Sequence, residues 1–181
     1  MYEFAVTSPV TVAAKIASGE LEIIAEERAS ATVEVRPWDD SSSAREAAGE
    51  VRVELAGDRL LVETPSGFSG ARWLFGRGGK VRVRVRTPLD SPVEARLASC
   101  DVTGRGRFGP TMVHTASGDV RLDEVAGDLS ATVSSGDLSA ERIAGAAVTH
   151  SASGDVRIGE VGGELSATTA SGDVRVARVG G

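Results

Sequence analysis

The residues best placed to do chemistry are aspartates that recur at a fixed spacing in the second half of the chain. Ser-Gly-Asp followed by Val or Leu occurs four times, each copy 18 residues after the last. Carboxylates stacked in this way repel one another unless something compensates them. A bound calcium ion could compensate them, because nonapeptide β-rolls bind calcium through Asp-containing turns. A calcium-binding β-roll is therefore one alternative, with the ligands Asp119, Asp137, Asp155 and Asp173.

A structural role for these aspartates is the interpretation we favour. Each unit has a single Gly before the Asp and lacks the additional glycines of a calcium-binding turn. An Asp side chain can instead accept a backbone N–H bond within its own corner, as in an Asx turn. Arg121, Arg157 and Arg175 lie two residues further on and would neutralise three of the carboxylates. We predict no metal ligand and no cofactor.

A Gly-flanked loop in the first half carries the residue types that anchor protein interfaces. Its Arg and aromatic side chains are candidates for binding a partner: Arg72, Trp73, Phe75 and Arg77. The alternative is that Trp73 and Phe75 close the end of the N-terminal core.

Other nucleophiles and ligands lack partners in the sequence. Cys100 has no recognisable base beside it, and the two histidines, His114 and His150, are 36 residues apart. Two turns of an 18-residue repeat would separate these histidines by about 9.6 Å, too far to hold one metal ion. No catalytic residues can be assigned, and we predict that the protein is not an enzyme.

Composition excludes several classes of protein. The 181 residues carry a net charge of −6, which disfavours nucleic-acid binding. No apolar run approaches the roughly 18 residues of a membrane-spanning helix, so membrane insertion is not expected. The first residues do not resemble a secretory signal, and the single cysteine fits a reducing compartment. We expect a cytoplasmic protein.

The chain divides into two unlike halves. All seven aromatic residues lie at or before Phe108, whereas 12 of the 22 glycines lie in residues 109–181. This shift predicts a β-rich lead-in over residues 1–98 and β-solenoid repeats over residues 99–181.

The repeat consists of nine-residue units of two alternating kinds, so its true period is 18. Apolar and polar residues alternate after each Gly, which is the pattern of a short strand. The predicted fold is all-β, a parallel β-solenoid with two strand-turn units in each 18-residue rung. Its structural turns are placed at Gly118, Gly127, Gly136, Gly145, Gly154, Gly163 and Gly172.

Residues 18 apart should stack in columns. One apolar column would contain Val120, Leu138, Val156 and Val174, a second Leu122, Ala140, Ile158 and Val176, and a third Val125, Ile143, Val161 and Val179. A charged column alternates in sign through Glu124, Arg142, Glu160 and Arg178. The lead-in is expected to be an irregular, antiparallel, β-sandwich-like cap that covers the first rung.

The repeated Ser-Gly-Asp-Val/Leu units and the lead-in strand Val33 to Pro37 resemble a bacterial β-strand-repeat family named "putative adhesin", a family of unknown function. The resemblance is to actinobacterial members without a signal peptide. It implies the same solenoid fold and supplies no catalytic residues. Cys100 departs from the pattern because it replaces the corner Gly of the first unit.

These observations predict a non-catalytic scaffold or protein-interaction module that binds an unknown protein partner or itself. With Gly181 as the last residue, unpaired backbone groups would favour a homo-oligomer through the open solenoid end. A carbohydrate-binding or polysaccharide-active solenoid is an alternative, although sugar clefts usually present the aromatic residues that the repeats lack.

Overall fold

The computed structural model describes residues 1–65 and 79–180, which are almost entirely β-strand. The elements of these ranges, in chain order, are β1 (Tyr2–Ala5), β2 (Thr11–Glu26), β3 (Ser30–Pro37), α1 (Ser42–Gly49), β4 (Arg52–Ala56), β5 (Arg59–Glu63), β6 (Val81–Pro88), β7 (Val93–Phe108), β8 (Thr111–Ser117), β9 (Val120–Val125), β10 (Leu129–Ser135), β11 (Leu138–Ile143), β12 (Ala147–Ser153), β13 (Val156–Val161), β14 (Leu165–Ser171) and β15 (Val174–Val179).

The repeats form the predicted parallel β-solenoid. Each rung contributes one strand to each of two facing sheets, and each strand from β8 to β13 pairs in parallel with the strand 18 residues further on. One sheet contains β8, β10, β12 and β14, and the other contains β9, β11, β13 and β15. The prediction of an all-β solenoid with two strand-turn units per rung is confirmed.

The predicted apolar columns are present and point into the space between the sheets. Val120, Leu138 and Val156 are in register and are at most 1% exposed. The column that begins at Leu122 and the column that begins at Val125 are also in register. Short aliphatic side chains suit this core because facing sheets lie only about 10 Å apart.

The parallel stack extends further towards the N-terminus than the sequence repeat indicates. β7 crosses both sheets, so the predicted domain boundary at residue 98 falls within this strand. β2 also crosses both sheets and pairs in parallel with β7 from Val12 to Ile24. β5 and β6 pair in parallel with the two halves of β2 and form the first rung of the stack. The described residues thus contain seven parallel rungs.

The N-terminal region matches the predicted antiparallel cap only in part. Antiparallel pairing is found outside the first rung, where β3 pairs with β6, β1 pairs with β3 and β4 pairs with β5. Helix α1 packs beside β3 and buries Ala44. None of the helices in the described ranges is long and apolar enough to cross a membrane.

Candidate functional site

The aspartates of the Ser-Gly-Asp corners form a hydrogen-bonded ladder along one edge of the solenoid. In each corner an Asp Oδ1 atom accepts the backbone N–H of the aspartate 18 residues further on. Four such bonds, of 2.9 to 3.0 Å, join the successive members Asp101, Asp119, Asp137, Asp155 and Asp173. The carboxylates therefore connect rungs, whereas the sequence predicted a bond within each corner.

Arginine side chains engage the other carboxylate oxygen of this ladder. Arg157 Nη2 lies 2.6 Å from Asp155 Oδ2, and its Nη1 lies 3.6 Å from Asp137 Oδ2. Arg175 joins Asp173 and Asp155 in the same way, and Arg121 pairs with Asp119. The backbone N–H of Asp173, with help from both arginines, lowers the pKa of the Asp155 carboxyl. The repulsion between stacked carboxylates is thus compensated by groups of the chain itself.

This arrangement bears directly on the calcium alternative. At Asp119, Asp137 and Asp155 both carboxylate oxygens contact a backbone N–H or an arginine. Within the ranges that the structure describes, no group of three His, Cys, Asp or Glu side chains could hold a metal ion. The aspartate ladder is best understood as a set of bonds between rungs.

The cysteine that interrupts the Gly pattern is part of the core. Cys100 is 1% exposed and pairs in register with Gly19 of β2. Burial, reinforced by the charges of Asp101 and Glu20, raises the pKa of its thiol to about 12. A thiol this far from ionisation at neutral pH is unsuited to nucleophilic catalysis.

The two outer faces of the solenoid differ in charge. The sheet of β8, β10, β12 and β14 points twelve side chains outward over four rungs, and none is acidic, Lys or Arg. We call this surface the neutral face: Met112, His114, Ala116, Ser130, Thr132, Ser134, Val148, His150, Ala152, Ser166, Thr168 and Ala170. Both histidines lie on this face. Thr132 lies between them in the register, so they are two rungs apart, as predicted.

The opposite face carries rows of paired charges. Near the N-terminal end, arginines of β6 meet glutamates of β2, and Arg84 Nε lies 2.5 Å from Glu22 Oε2. The guanidinium of Arg82 lies over the ring of Trp38, 4.4 Å from the centre of that ring. This network was not predicted from the sequence, although the alternating arginines at positions 82, 84 and 86 could have indicated it.

A shallow groove of about 680 Å³ runs along the charged face of the later rungs. The predicted column of alternating charge lines it and is in register, with Arg142 Nε 3.7 Å from Glu160 Oε2. Four acidic and three basic side chains line the groove, so charges of both signs are mixed along its length.

The last rung, β14 and β15, leaves part of the core exposed. In the described residues β14 pairs only with β12 and β15 only with β13. Val174 is 40% exposed and Val179 is 53% exposed, whereas the equivalent Val156 and Val161 of the previous rung are fully buried. This rung therefore presents apolar side chains beside two strand edges with which no other described strand pairs.

The predicted partner-binding residues Arg72, Trp73, Phe75 and Arg77 lie outside the described residues. Their role stays a prediction.

Comparison with known proteins agrees with this architecture. The Toastrack DUF4097 family model matches residues 15–179. A search of the curated proteins finds no relative of this chain.

Among solved structures, a "putative cell adhesion protein" from Clostridium sporogenes is 9% identical, with a TM-score of 0.46 and 98% of each chain covered. A "putative adhesin" from Bacteroides fragilis is 10% identical, with a TM-score of 0.35, and the match covers 99% of this chain and 93% of that one. A "putative lipid binding protein" from Parabacteroides distasonis is 11% identical, with a TM-score of 0.33 and coverage of 98% and 95%.

Proposed function

This chain belongs to the Toastrack DUF4097 family, and we propose that it is a non-catalytic scaffold that binds a protein partner, or a second copy of itself, on its neutral face. The observation that carries this proposal is a sheet surface four rungs long whose twelve outward side chains include no acidic residue, Lys or Arg. On this face Met112 is 37% exposed and Val148 is 41% exposed, so a partner would cover apolar surface.

A sheet surface without charged side chains suits protein association, because the buried centre of a protein interface is depleted of charged residues. The parallel register of β8, β10, β12 and β14 holds the outward side chains in straight columns. A partner that lies along these columns would therefore meet uncharged side chains at every rung.

The chemistry of the described residues supports a scaffold rather than an enzyme. The regularly spaced carboxylates bond to backbone N–H groups and arginines, and the thiol is buried. The groove on the charged face alternates in charge along its length and contains no aromatic side chain on which a sugar could stack. These features favour association over catalysis or carbohydrate binding.

The first test compares capture of proteins by the wild-type chain and by two variants. Val148→Glu places a charge on the neutral face, whereas Ser139→Glu places the same charge on the opposite face, between Arg121 and Arg157 of the neighbouring rungs. We expect proteins retained by the wild type to be lost with Val148→Glu and kept with Ser139→Glu. The opposite pattern, or turnover of a polysaccharide by the wild type, would overturn the proposal.

A second test addresses the calcium alternative. Thermal unfolding measured with calcium and with a chelator should give the same midpoint, because the ladder oxygens are already engaged. An increase in the midpoint with calcium that Asp137→Asn abolishes would instead make the ladder an ion site.

A further inference from the structure

We propose that the partner on the neutral face is a second copy of this chain, packed face to face with its stack of rungs reversed, and that mild acid dissociates the pair. This inference rests on the proposed function and adds to it the identity and orientation of one occupant. A two-fold axis parallel to the strands, passing over Thr132 of β10, produces the arrangement. Such an interface is isologous, so the assembly closes as a dimer.

The two large apolar side chains of the neutral face match each other in this arrangement. Met112 and Val148 lie in one column, on either side of Ser130 in the register, and are 37% and 41% exposed. Because the axis passes over the strand between them, Met112 of each copy faces Val148 of the other. Two apolar contacts then become buried at the centre of the junction. Both residues lie on inner strands, β8 and β12, each of which has a paired strand on both sides.

Charge favours the reversed orientation over a parallel one. β7 continues this sheet beyond the neutral face, and its exposed Arg96 pairs in register with His114. If the two stacks ran in the same direction, Arg96 of one copy would face Arg96 of the other, and like charges that face each other are destabilising. In the reversed orientation Arg96 faces the exposed Thr168, whose hydroxyl oxygen can accept a hydrogen bond from the guanidinium.

The same axis brings histidines together across the junction. His114 of each copy faces His150 of the other, and both side chains are exposed in the single chain. Within its own sheet His114 lies between Arg96 and Thr132, and His150 lies between Thr132 and Thr168. The acidic side chain of β7 in the neighbouring column, Glu94, is already bonded to Arg59 at 2.7 Å.

These two residues are the only histidines of the chain, and histidine is the side chain that ordinarily changes charge between pH 5 and 8. In the neutral form, the N–H of one ring can donate to the free nitrogen of the facing ring. Protonation adds four positive charges to the junction, close to the Arg96 side chain of each copy, and removes the acceptor nitrogens. The dimer should therefore be present at neutral pH and weaken as the pH falls.

The size of the junction predicts a weak dimer. The rungs from β7 to β14 contribute five strands about 4.8 Å apart and about 20 Å long, so each copy covers roughly 400–500 Å². The total of roughly 1,000 Å² is at the lower limit of a specific interface. Association should therefore depend strongly on protein concentration.

The experiment is sedimentation velocity on the 181-residue chain from about 5 to about 500 µM, at about pH 7.5 and about pH 5.5. At the higher pH we expect a shift from monomer to dimer with no larger species, weakened at least tenfold by Val148→Glu and less than twofold by Ser139→Glu. At the lower pH the wild-type dimer should be at least tenfold weaker. The sequence pI is about 5.0, so the general loss of net charge would act in the opposite direction.

A double variant isolates the contribution of the histidines. His114→Gln combined with His150→Gln keeps side chains that donate and accept hydrogen bonds but gain no charge in acid. We expect this variant to form the dimer at about pH 7.5 and to keep it at about pH 5.5. A dimer of the double variant that still dissociates in acid would contradict the assignment to these residues.

Cross-linking tests the orientation, and the buried Cys100 leaves an introduced surface cysteine as the reactive one. In the reversed arrangement Ala116 of one copy faces Ala152 of the other. A short bis-maleimide should therefore join Ala116→Cys chains to Ala152→Cys chains more efficiently than it joins either variant to itself.

Three results would each overturn the inference: a chain that stays monomeric throughout, a dimer broken by Ser139→Glu but kept by Val148→Glu, or cross-linking without preference between the two cysteine variants. Monomers that still lose captured proteins on Val148→Glu would leave the scaffold proposal intact, with a different partner on the same face. Monomers that capture no protein would overturn both.

Discussion

The two corners of each rung turn the chain by different means. At the Ser-Gly-Asp corner, Gly136 adopts φ +132° and the following Asp137 bonds to the next rung. At the opposite corner, Gly145 has no left-handed φ, and its N–H donates to the Gly127 carbonyl 3.1 Å away. The first corner uses left-handed glycines and an aspartate repeated from rung to rung, whereas the opposite corner has one such aspartate bond, from the Ala146 N–H to Asp128, and otherwise uses bonds between backbone groups. This difference explains why Ser-Gly-Asp repeats strictly while the other corner varies.

Substitution of the first-corner glycine should have the largest effect. A Cβ atom on Gly136 would lie 2.3 Å from the Gly118 carbonyl oxygen, and the φ of +132° strains any L-residue. We expect Gly136→Ala to destabilise the protein by about 3 kcal/mol or more, measured by urea unfolding. Gly49→Ala is the control, because nothing lies within 4 Å of the added methyl. Equal losses for both variants would contradict this account.

Cys100 offers a test in which the repeat pattern and the structure disagree. Cys100→Gly restores the corner Gly of the first unit, yet it removes a side chain that is 1% exposed at a backbone φ outside the left-handed region. We expect a loss of about 2 kcal/mol, from added chain entropy and lost burial. Cys100→Ala should cost about half as much. Stabilisation by Cys100→Gly would show that the corner needs glycine in every rung.

Removal of a carboxylate should destabilise the protein more at the first corner than at the opposite corner. Both losses should be smaller than the loss caused by Gly136→Ala. Asp137→Ala removes the acceptor for the Asp155 N–H and a partner of Arg157, so we expect a loss of about 1–2 kcal/mol. Asp128→Ala removes one bond, to the Ala146 N–H, at an exposed position and should cost less. Urea midpoints of the two variants provide the measurement. A larger loss for Asp128→Ala would reverse the ranking of the corners.

Acid should destabilise the folded protein through the first corner, and this loss of stability should be the smallest of those predicted. The pKa of Asp155 is lowered by the Asp173 N–H and by two arginines. A carboxyl with a lowered pKa in the folded state stabilises the fold above its unfolded-state value, about 3.9. That contribution is lost as pH falls through the folded-state pKa. The urea midpoint should therefore decline below about pH 4 in the wild type and decline less in Asp155→Asn.

The repeated part of the fold was predictable because its information is local and periodic. The 18-residue spacing placed Val120 above Leu138 and Glu124 above Arg142, and both pairs are in register. The direction of the ladder bonds was not predictable, because an aspartate has an equally suitable donor in its own turn. Only the structure shows that Asp119 accepts from Asp137.

The parallel role of β2 was harder to predict. Its rung carries one copy of a related motif, Ser18-Gly19-Glu20-Leu21, with Glu in place of Asp. Gly19 adopts φ +137° and pairs with Cys100, as a first-corner glycine should. The motif indicates the corner, but the strands that pair with β2 are distant from it in sequence. These strands are β5, β6 and β7. No local pattern reveals which distant strands pair or in which direction.

The interior position of β2 has a consequence for how the chain reaches its fold. β2 leaves the ribosome early, yet its neighbours on both sides are completed only when β7 ends at Phe108. Both edges of its sixteen residues lack a partner until β5 and β6 are made, and one edge still lacks a partner until β7 is complete. Unpaired edges beside an apolar surface promote aggregation. Later rungs can each add to a finished neighbour as they emerge. We therefore expect folding of this solenoid to begin in earnest when β7 is complete and then to proceed towards the C-terminus, one rung at a time.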